Sequence, residues 1–105
     1  MTESEFNDMV DETFATIEDA IDDCESDIDT EESGGVLTLT CANGSAIIFS
    51  RQAASRELWV AARSGGFHFV HQEGRWYCPK YQRSMQDMLS EITREQADEA
   101  IDLEV

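Results

Sequence analysis

The chemistry available to this sequence lies in its carboxylates. Between Thr2 and Glu32 stand fourteen acids, Glu3, Glu5, Asp8, Asp11, Glu12, Glu18, Asp19, Asp22, Asp23, Glu25, Asp27, Asp29, Glu31 and Glu32, and the first basic residue is Arg51. Asp11, Glu18 and Asp22 recur at helical spacing, as do Glu12, Asp19 and Asp23, so a helix carries them as two adjacent acidic rows. Exposed carboxylates four residues apart suit cations that accept oxygen ligands, with water completing the shell. With neither nitrogen nor sulfur among the donors, such a surface binds weakly and selects poorly. Iron, manganese, cobalt and calcium would compete for it, and a basic protein surface would be drawn to the same charge.

Other chemistries find little support. No Gly-rich phosphate loop, nucleophile elbow, H-E-x-x-H string or Cys/His metal cluster is present. Paired carboxylates for glycoside hydrolysis need a cleft, whereas these acids line a convex helix and the loop after it. Cys24, Cys41 and Cys78 are odd in number and widely spaced, which predicts small buried apolar residues instead of a disulfide framework or a zinc site. His68 and His71 fall on opposite faces of one strand pattern and do not chelate as neighbours.

The acids need an element to hold them, and the sequence supplies one. Phe6, Val10, Phe14, Ile17, Ile21 and Cys24 recur at steps of three and four, the stripe of an amphipathic helix. Thr2 and Glu5 form the two ends of a capping box, and the helix is predicted to run to about Asp23. Glu18 with Asp22 and Asp19 with Asp23 are like-charge pairs that cost about 0.2–0.5 kcal/mol each, at a helix end whose dipole prefers cations. A solvated face that keeps the chain soluble, in a saline habitat for example, is the plainer account of such a run. A functional account requires something positive.

After a polar connection from Glu25 to Glu32, the pattern changes to period two. Val36–Cys41, Ala46–Ser50, Leu58–Arg63, Phe67–His71 and Arg75–Cys78 read as strands joined by Ser33-Gly34-Gly35, Asn43-Gly44, Ser64-Gly65-Gly66 and Glu73-Gly74. Pro79 ends the last of them, and Ser84 with Asp87 opens a second helix with Met85, Met88, Leu89 and Ile92 on one side. The apolar Ala100, Ile101, Leu103 and Val105 predict a tail that folds back on the body. The expected fold is α+β, a two-layer sandwich with two helices on one face of a five- to six-stranded antiparallel sheet, in one domain spanning residues 1–105. Alternation then puts Trp59 and Arg63 on the open face, where Trp59 is a candidate anchor for a protein partner.

Charge is unevenly spread in a chain of net charge −16. Residues 51–83 hold Arg51, Arg56, Arg63, Arg75, Lys80 and Arg83 against two acids, and residues 84–105 hold seven acids against Arg94. Such a molecule repels nucleic acid and anionic membrane over most of its surface. Met1-Thr2-Glu3-Ser4-Glu5 has no signal-peptide character and no run spans a bilayer, so the expected location is cytoplasmic.

A series of local strings in the same order resembles the frataxin family, most closely its bacterial CyaY type. They are Ser4-Glu5-Phe6, Thr16-Ile17-Glu18-Asp19, Asp22-Asp23, Asp27-Ile28-Asp29, Gly34-Gly35-Val36-Leu37-Thr38, Asn43-Gly44-Ser45, Ile47-Ile48, Arg51-Gln52, Leu58-Trp59-Val60-Ala61, Gly65-Gly66-Phe67-His68-Phe69, and Trp76 with Cys78. The resemblance implies a non-enzymatic protein that binds iron (Fe2+/Fe3+) weakly at its surface through Glu18, Asp19, Asp22, Asp23, Asp27, Asp29 and Glu31. It further implies docking of Asp11, Glu12 and that ridge on an IscS-type cysteine desulfurase, modulating sulfur delivery to the iron–sulfur scaffold protein. Asn43, Gln52, Trp59 and Arg63 are the implied partner-binding positions on the sheet. The expected state is a monomer, with iron-dependent oligomers as a further possibility of the family. Ser50 and Ala54 stand where the family usually has Asn and Pro, Cys24 and Cys41 replace bulkier residues, and Pro79-Lys80-Tyr81-Gln82-Arg83 replaces the usual turn. Two alternatives stand beside this reading: a carboxylate-ridge ferroxidase and iron store, and an acidic decoy that blocks a basic protein.

Overall fold

The computed structural model describes residues 1–23, 27–98 and 101. Helix α1 spans Glu3–Asp23. Its start is fixed by a capping box: the Thr2 amide donates to Glu5 Oε1 at 2.9 Å and the Glu5 amide to Thr2 Oγ1 at 3.1 Å. Phe6, Val10, Phe14, Ile17 and Ile21 are buried along one side. Cys24, which continues the stripe in sequence, lies outside the described residues, as do Ala100, Leu103 and Val105.

Seven strands follow in a meander whose spatial order is the chain order: β1 Asp29–Ser33, β2 Val36–Thr40, β3 Ala46–Gln52, β4 Glu57–Ala62, β5 Gly65–Gln72, β6 Arg75–Cys78 and β7 Arg83–Ser84. All neighbours pair antiparallel. The sheet thus has more strands than the five or six expected. β1 is an edge strand of sequence Asp-Thr-Glu-Glu-Ser, paired with β2 along its whole length and with no fully buried side chain, so no apolar alternation announces it. β7 is only two residues long. Gly34 and Gly35 at φ +60° and +80° form the two-residue turn between β1 and β2, a left-handed conformation that glycine adopts without strain.

Helix α2, Met85–Ala97, begins at Ser84, whose hydroxyl accepts from the Asp87 amide. Both helices lie on the face of the sheet that presents Leu37, Leu39, Ile47, Phe49, Leu58, Val60, Phe69 and Trp76, all buried in one core. Each such side chain contributes about 1.5–3 kcal/mol by leaving water. The Trp76 indole, though buried, is satisfied: it donates to Thr13 Oγ1 at 2.8 Å, and that hydroxyl donates to the Met9 carbonyl. Ile101 is buried and its amide donates to Thr93 Oγ1, so the chain returns to the body at that point. Cys41 and Cys78 are buried thiols with no disulfide, as small apolar residues would be. Among the described residues no helix is long and apolar enough to cross a membrane.

Candidate functional site: the acidic edge and the open sheet face

The buried stripe fixes the rotation of α1, and the carboxylates take what remains. Asp11, Glu12, Asp19, Asp22 and Asp23 are exposed and Glu18 is half-buried. They are not equivalent. Arg51 of β3 reaches Asp11 at 2.8 Å, bonds Asn7 Oδ1 and the Gly35 carbonyl, and lies over the Phe14 ring at 5.3 Å. Asp11 is therefore neutralised from within, and Arg51 is a latch joining α1, β3 and the β1–β2 turn.

Further along α1 the charge is left standing. The Glu18 carboxyl is pushed above its ordinary 4.5, first by burial and then by repulsion from Glu32, Asp19 and Asp22. Glu32, which is not among the seven expected metal positions, meets this cluster from β1. Register explains why. Glu32 is opposite Leu37 and Thr30 opposite Leu39, both core residues, so these two face the helix side. Asp29 and Glu31 are opposite Thr40 and Thr38 and so stand on the open face. Asp27 is exposed in the connection before β1, in a recess it shares with Asn43, Gln96 and Asp98 at the end of α2. The seven positions expected to hold metal are accordingly divided: Glu18, Asp19, Asp22 and Asp23 on α1, Asp29 and Glu31 across the sheet edge, and Asp27 apart. The signal that finds Glu32 is the Gly34-Gly35 hairpin, because it fixes Ser33 against Val36 and hence the side of every β1 residue.

No three Asp, Glu, His or Cys side chains among the described residues converge closely enough to hold a metal ion as they stand. What the edge offers is hard oxygen donors one or two at a time, close enough to repel one another. A hydrated divalent cation suits that donor set, with water as its remaining ligands.

On the open face, Trp59 is 38% exposed and stacks on His68 of the next strand, with ring centroids 4.2 Å apart and planes within 6°. Its indole donates to Glu57 Oε1 at 2.9 Å, which fixes the ring's orientation. Ile48 and Ala61 are exposed beside it. Gln52 ends β3 opposite Glu57 and lies in the same quarter. Arg63 and Asn43 belong elsewhere. β4 ends at Ala62, one residue before the alternation would put Arg63 beside Trp59, and the Arg63 guanidinium donates instead to the Glu95 carbonyl at the end of α2. Its amide donates to Gln96 Oε1, while Asn43 Nδ2 donates to the Gln96 carbonyl and Asn43 Oδ1 accepts from Ser45. These two side chains bracket the end of α2.

Known proteins share this arrangement. A family model described as a frataxin-like domain matches residues 1–99. A Pseudomonas fluorescens protein named iron-sulfur cluster assembly protein CyaY is 50% identical over 106 aligned positions, covering 99% of this chain and 96% of its own. A Stutzerimonas stutzeri protein of the same name is 46% identical with the same coverage. The solved frataxin of Psychromonas ingrahamii superposes with a TM-score of 0.93 over the whole of both chains at 28% identity. A capped acidic helix, a seven-strand meander and near-complete alignment at half identity lead to one conclusion: this chain belongs to the frataxin-like family.

Proposed function

We propose that the protein serves iron–sulfur cluster assembly in the cytoplasm as a non-enzymatic regulator. In this reading the α1–β1 edge collects Fe(II) weakly and docks on a basic surface of the cysteine desulfurase, while the open face around Trp59 meets the scaffold protein. The observation that carries it is the meeting of Glu32 from β1 with Glu18, Asp19 and Asp22 of α1, where burial first and then these acidic neighbours push the Glu18 carboxyl upward. Like charges are gathered where folding alone gains nothing from them, and a cation or cationic surface relieves the repulsion. The name borne by the relatives at 46–50% identity supports the pathway. Metal and desulfurase then compete for, or share, the same carboxylates.

Two titrations test the reading. Anaerobic addition of Fe(II) to 15N-labelled protein should broaden the amides of Glu18–Asp23 and Glu31–Glu32 before any others. Calorimetric titration with the cysteine desulfurase should give a complex whose affinity falls steeply between two salt concentrations. Unchanged α1 amides together with no complex at low salt would refute it. Oxygen consumption keeping pace with added Fe(II) would favour a ferroxidase instead.

A further inference from the structure

We propose that the outer side of β1 receives an extended segment of a partner protein carrying two adjacent Lys or Arg residues, which pairs as an added strand and places one basic side chain on each side of the sheet. The inference rests on the proposed reading that a cationic protein meets the α1–β1 edge, and it specifies how the contact is made. β1 ends the sheet: it pairs with β2 along its whole length, and no strand among the described residues pairs with its other side. Its turn decides which main-chain groups stay free. A two-residue hairpin closes on a hydrogen-bonded pair, here Ser33 and Val36, and the bonding then alternates, so Ser33, Glu31 and Asp29 direct their N–H and C=O groups to β2. Thr30 and Glu32 turn theirs outward.

The side chains along this edge set the charge of the occupant and the spacing of that charge. Asp29 and Glu31 on the open face and Glu32 on the helix side are all exposed. Glu32 is close enough to Glu18 to repel it, so the helix side of the edge carries acid from two elements. Among the described residues none of the three β1 acids forms an ion pair, and Arg51, which bonds the Gly35 carbonyl at the end of the hairpin, is committed to Asp11. Successive side chains of an added strand point to opposite sides of the sheet. Bases at alternate positions therefore answer one acidic side only, and adjacent bases answer both.

Acids on an edge also guard it against pairing with its own copy. The guard has a sign. A second β1 brings the same three acids and is repelled, whereas a cationic strand is drawn in. The other edge of the sheet offers no such place, because β7 is two residues long, Arg83 is taken by Asp87 and Glu91, and the Ser84 hydroxyl caps α2. Main-chain pairing supplies affinity at β1, and the acids on its two sides supply selectivity.

The test uses the 15N-labelled chain at low ionic strength and the acetylated, amidated hexapeptide Thr-Val-Lys-Arg-Val-Thr. Saturable shifts are expected on β1, and hydrogen exchange at the Thr30 and Glu32 amides should slow roughly tenfold or more in the complex, while Asp29 and Glu31 change little. Glu31→Gln and Glu32→Gln should each weaken binding roughly threefold, as should separating the bases in Thr-Lys-Val-Arg-Val-Thr. Of the two peptides N-methylated at alternate residues, the one whose methyl groups face β1 should lose binding and the other keep it, a division that charge attraction alone does not produce. The proposal is overturned if Thr30 and Glu32 exchange as fast in the complex as alone, if the two methylated peptides bind alike, if separated bases bind as tightly, or if millimolar peptide shifts no β1 amide. A desulfurase complex in which those two amides stay unprotected overturns the strand addition and leaves the proposed function standing; a peptide that protects them where no desulfurase complex forms does the reverse.

Discussion

The two helices of this molecule are both acidic and handle their acid in opposite ways. On α2, Asp87 and Glu91 close on Arg83, the Asp87 carboxyl is held below its ordinary 3.8 by that contact, and Arg94 occupies the last turn where the dipole favours a cation. On α1, Arg51 compensates Asp11, but the last turn holds no base and Glu18 is pushed the other way. One carboxylate cluster supports its helix and the other opposes it. Composition cannot separate them; only the cation each finds, or fails to find, within the fold does so. In the proposed function, that uncompensated repulsion is what a cation or a cationic partner surface relieves.

Exchanging the charges should break the contrast most sharply. Glu18→Lys with Asp22→Lys is expected to weaken desulfurase binding by a factor of ten or more, equivalent to at least about 1.4 kcal/mol, while raising the melting temperature. Asp87→Lys with Glu91→Lys should do the reverse, lowering the melting temperature and leaving desulfurase affinity unchanged. Calorimetry and thermal unfolding on the two double variants decide it. Equal losses of binding from both pairs would reduce the ridge to bulk negative charge.

A smaller effect is expected at the junction between the compensated and uncompensated parts of α1. Arg51→Ala removes the ion pair to Asp11, the bond to the Gly35 carbonyl and the contact with Phe14, and should cost about 1–2 kcal/mol in urea unfolding. A Cβ on Gly35 would come within 3.1 Å of Arg51 Nε, so Gly35→Ala should disturb the same latch. A loss much below 1 kcal/mol would place Arg51 among ordinary surface residues. On α2, Ser84→Ala removes the cap accepted from Asp87 and should cost about 1 kcal/mol by the same assay.

How far the sequence carries this contrast depends on the element. The stripe from Phe6 to Ile21, the Thr2–Glu5 box and the Ser84 cap are local periodicities and local bonds, and each is legible because its physics is local. β1 is not, because an edge strand is defined by its neighbour and needs no apolar side chains. Without β1, no local pattern assigns Glu32 or separates Asp29 and Glu31 from the α1 acids from which the sheet divides them. The tying of Asn43 and Arg63 to Gln96 spans 53 and 33 residues of chain, a separation no local pattern reports. Trp59 was legible as exposed, whereas its stacking on His68 followed only from the register of β4 against β5.

The smallest expected effect, and the most specific, is on pH dependence. A carboxyl whose folded pKa is raised binds its proton more readily in the native state, so the cost of burying the Glu18 charge and crowding it with other acids is fully present at neutral pH. It fades as the pH falls through the folded value, and is gone below the unfolded value near 4.5. Asp87 and Glu5 act oppositely: held below 3.8 and 4.5, they stabilise the fold above those values and lose that contribution only as the pH falls through their lowered folded pKa. His71, lowered from 6.5 by burial, also costs stability as the pH drops below 6.5 and it is forced to charge. Wild-type stability mixes all of these, so the measurement is a difference. Glu18→Gln should be more stable than the parent at pH 7, and the gap should close toward pH 4.5, with His71 cancelling because both proteins carry it. Glu32→Gln should narrow the same gap, since it removes the largest single repulsion on Glu18. A gap that stays constant from pH 7 to 4.5, or one indifferent to Glu32, would show that α1 and β1 do not share their charge.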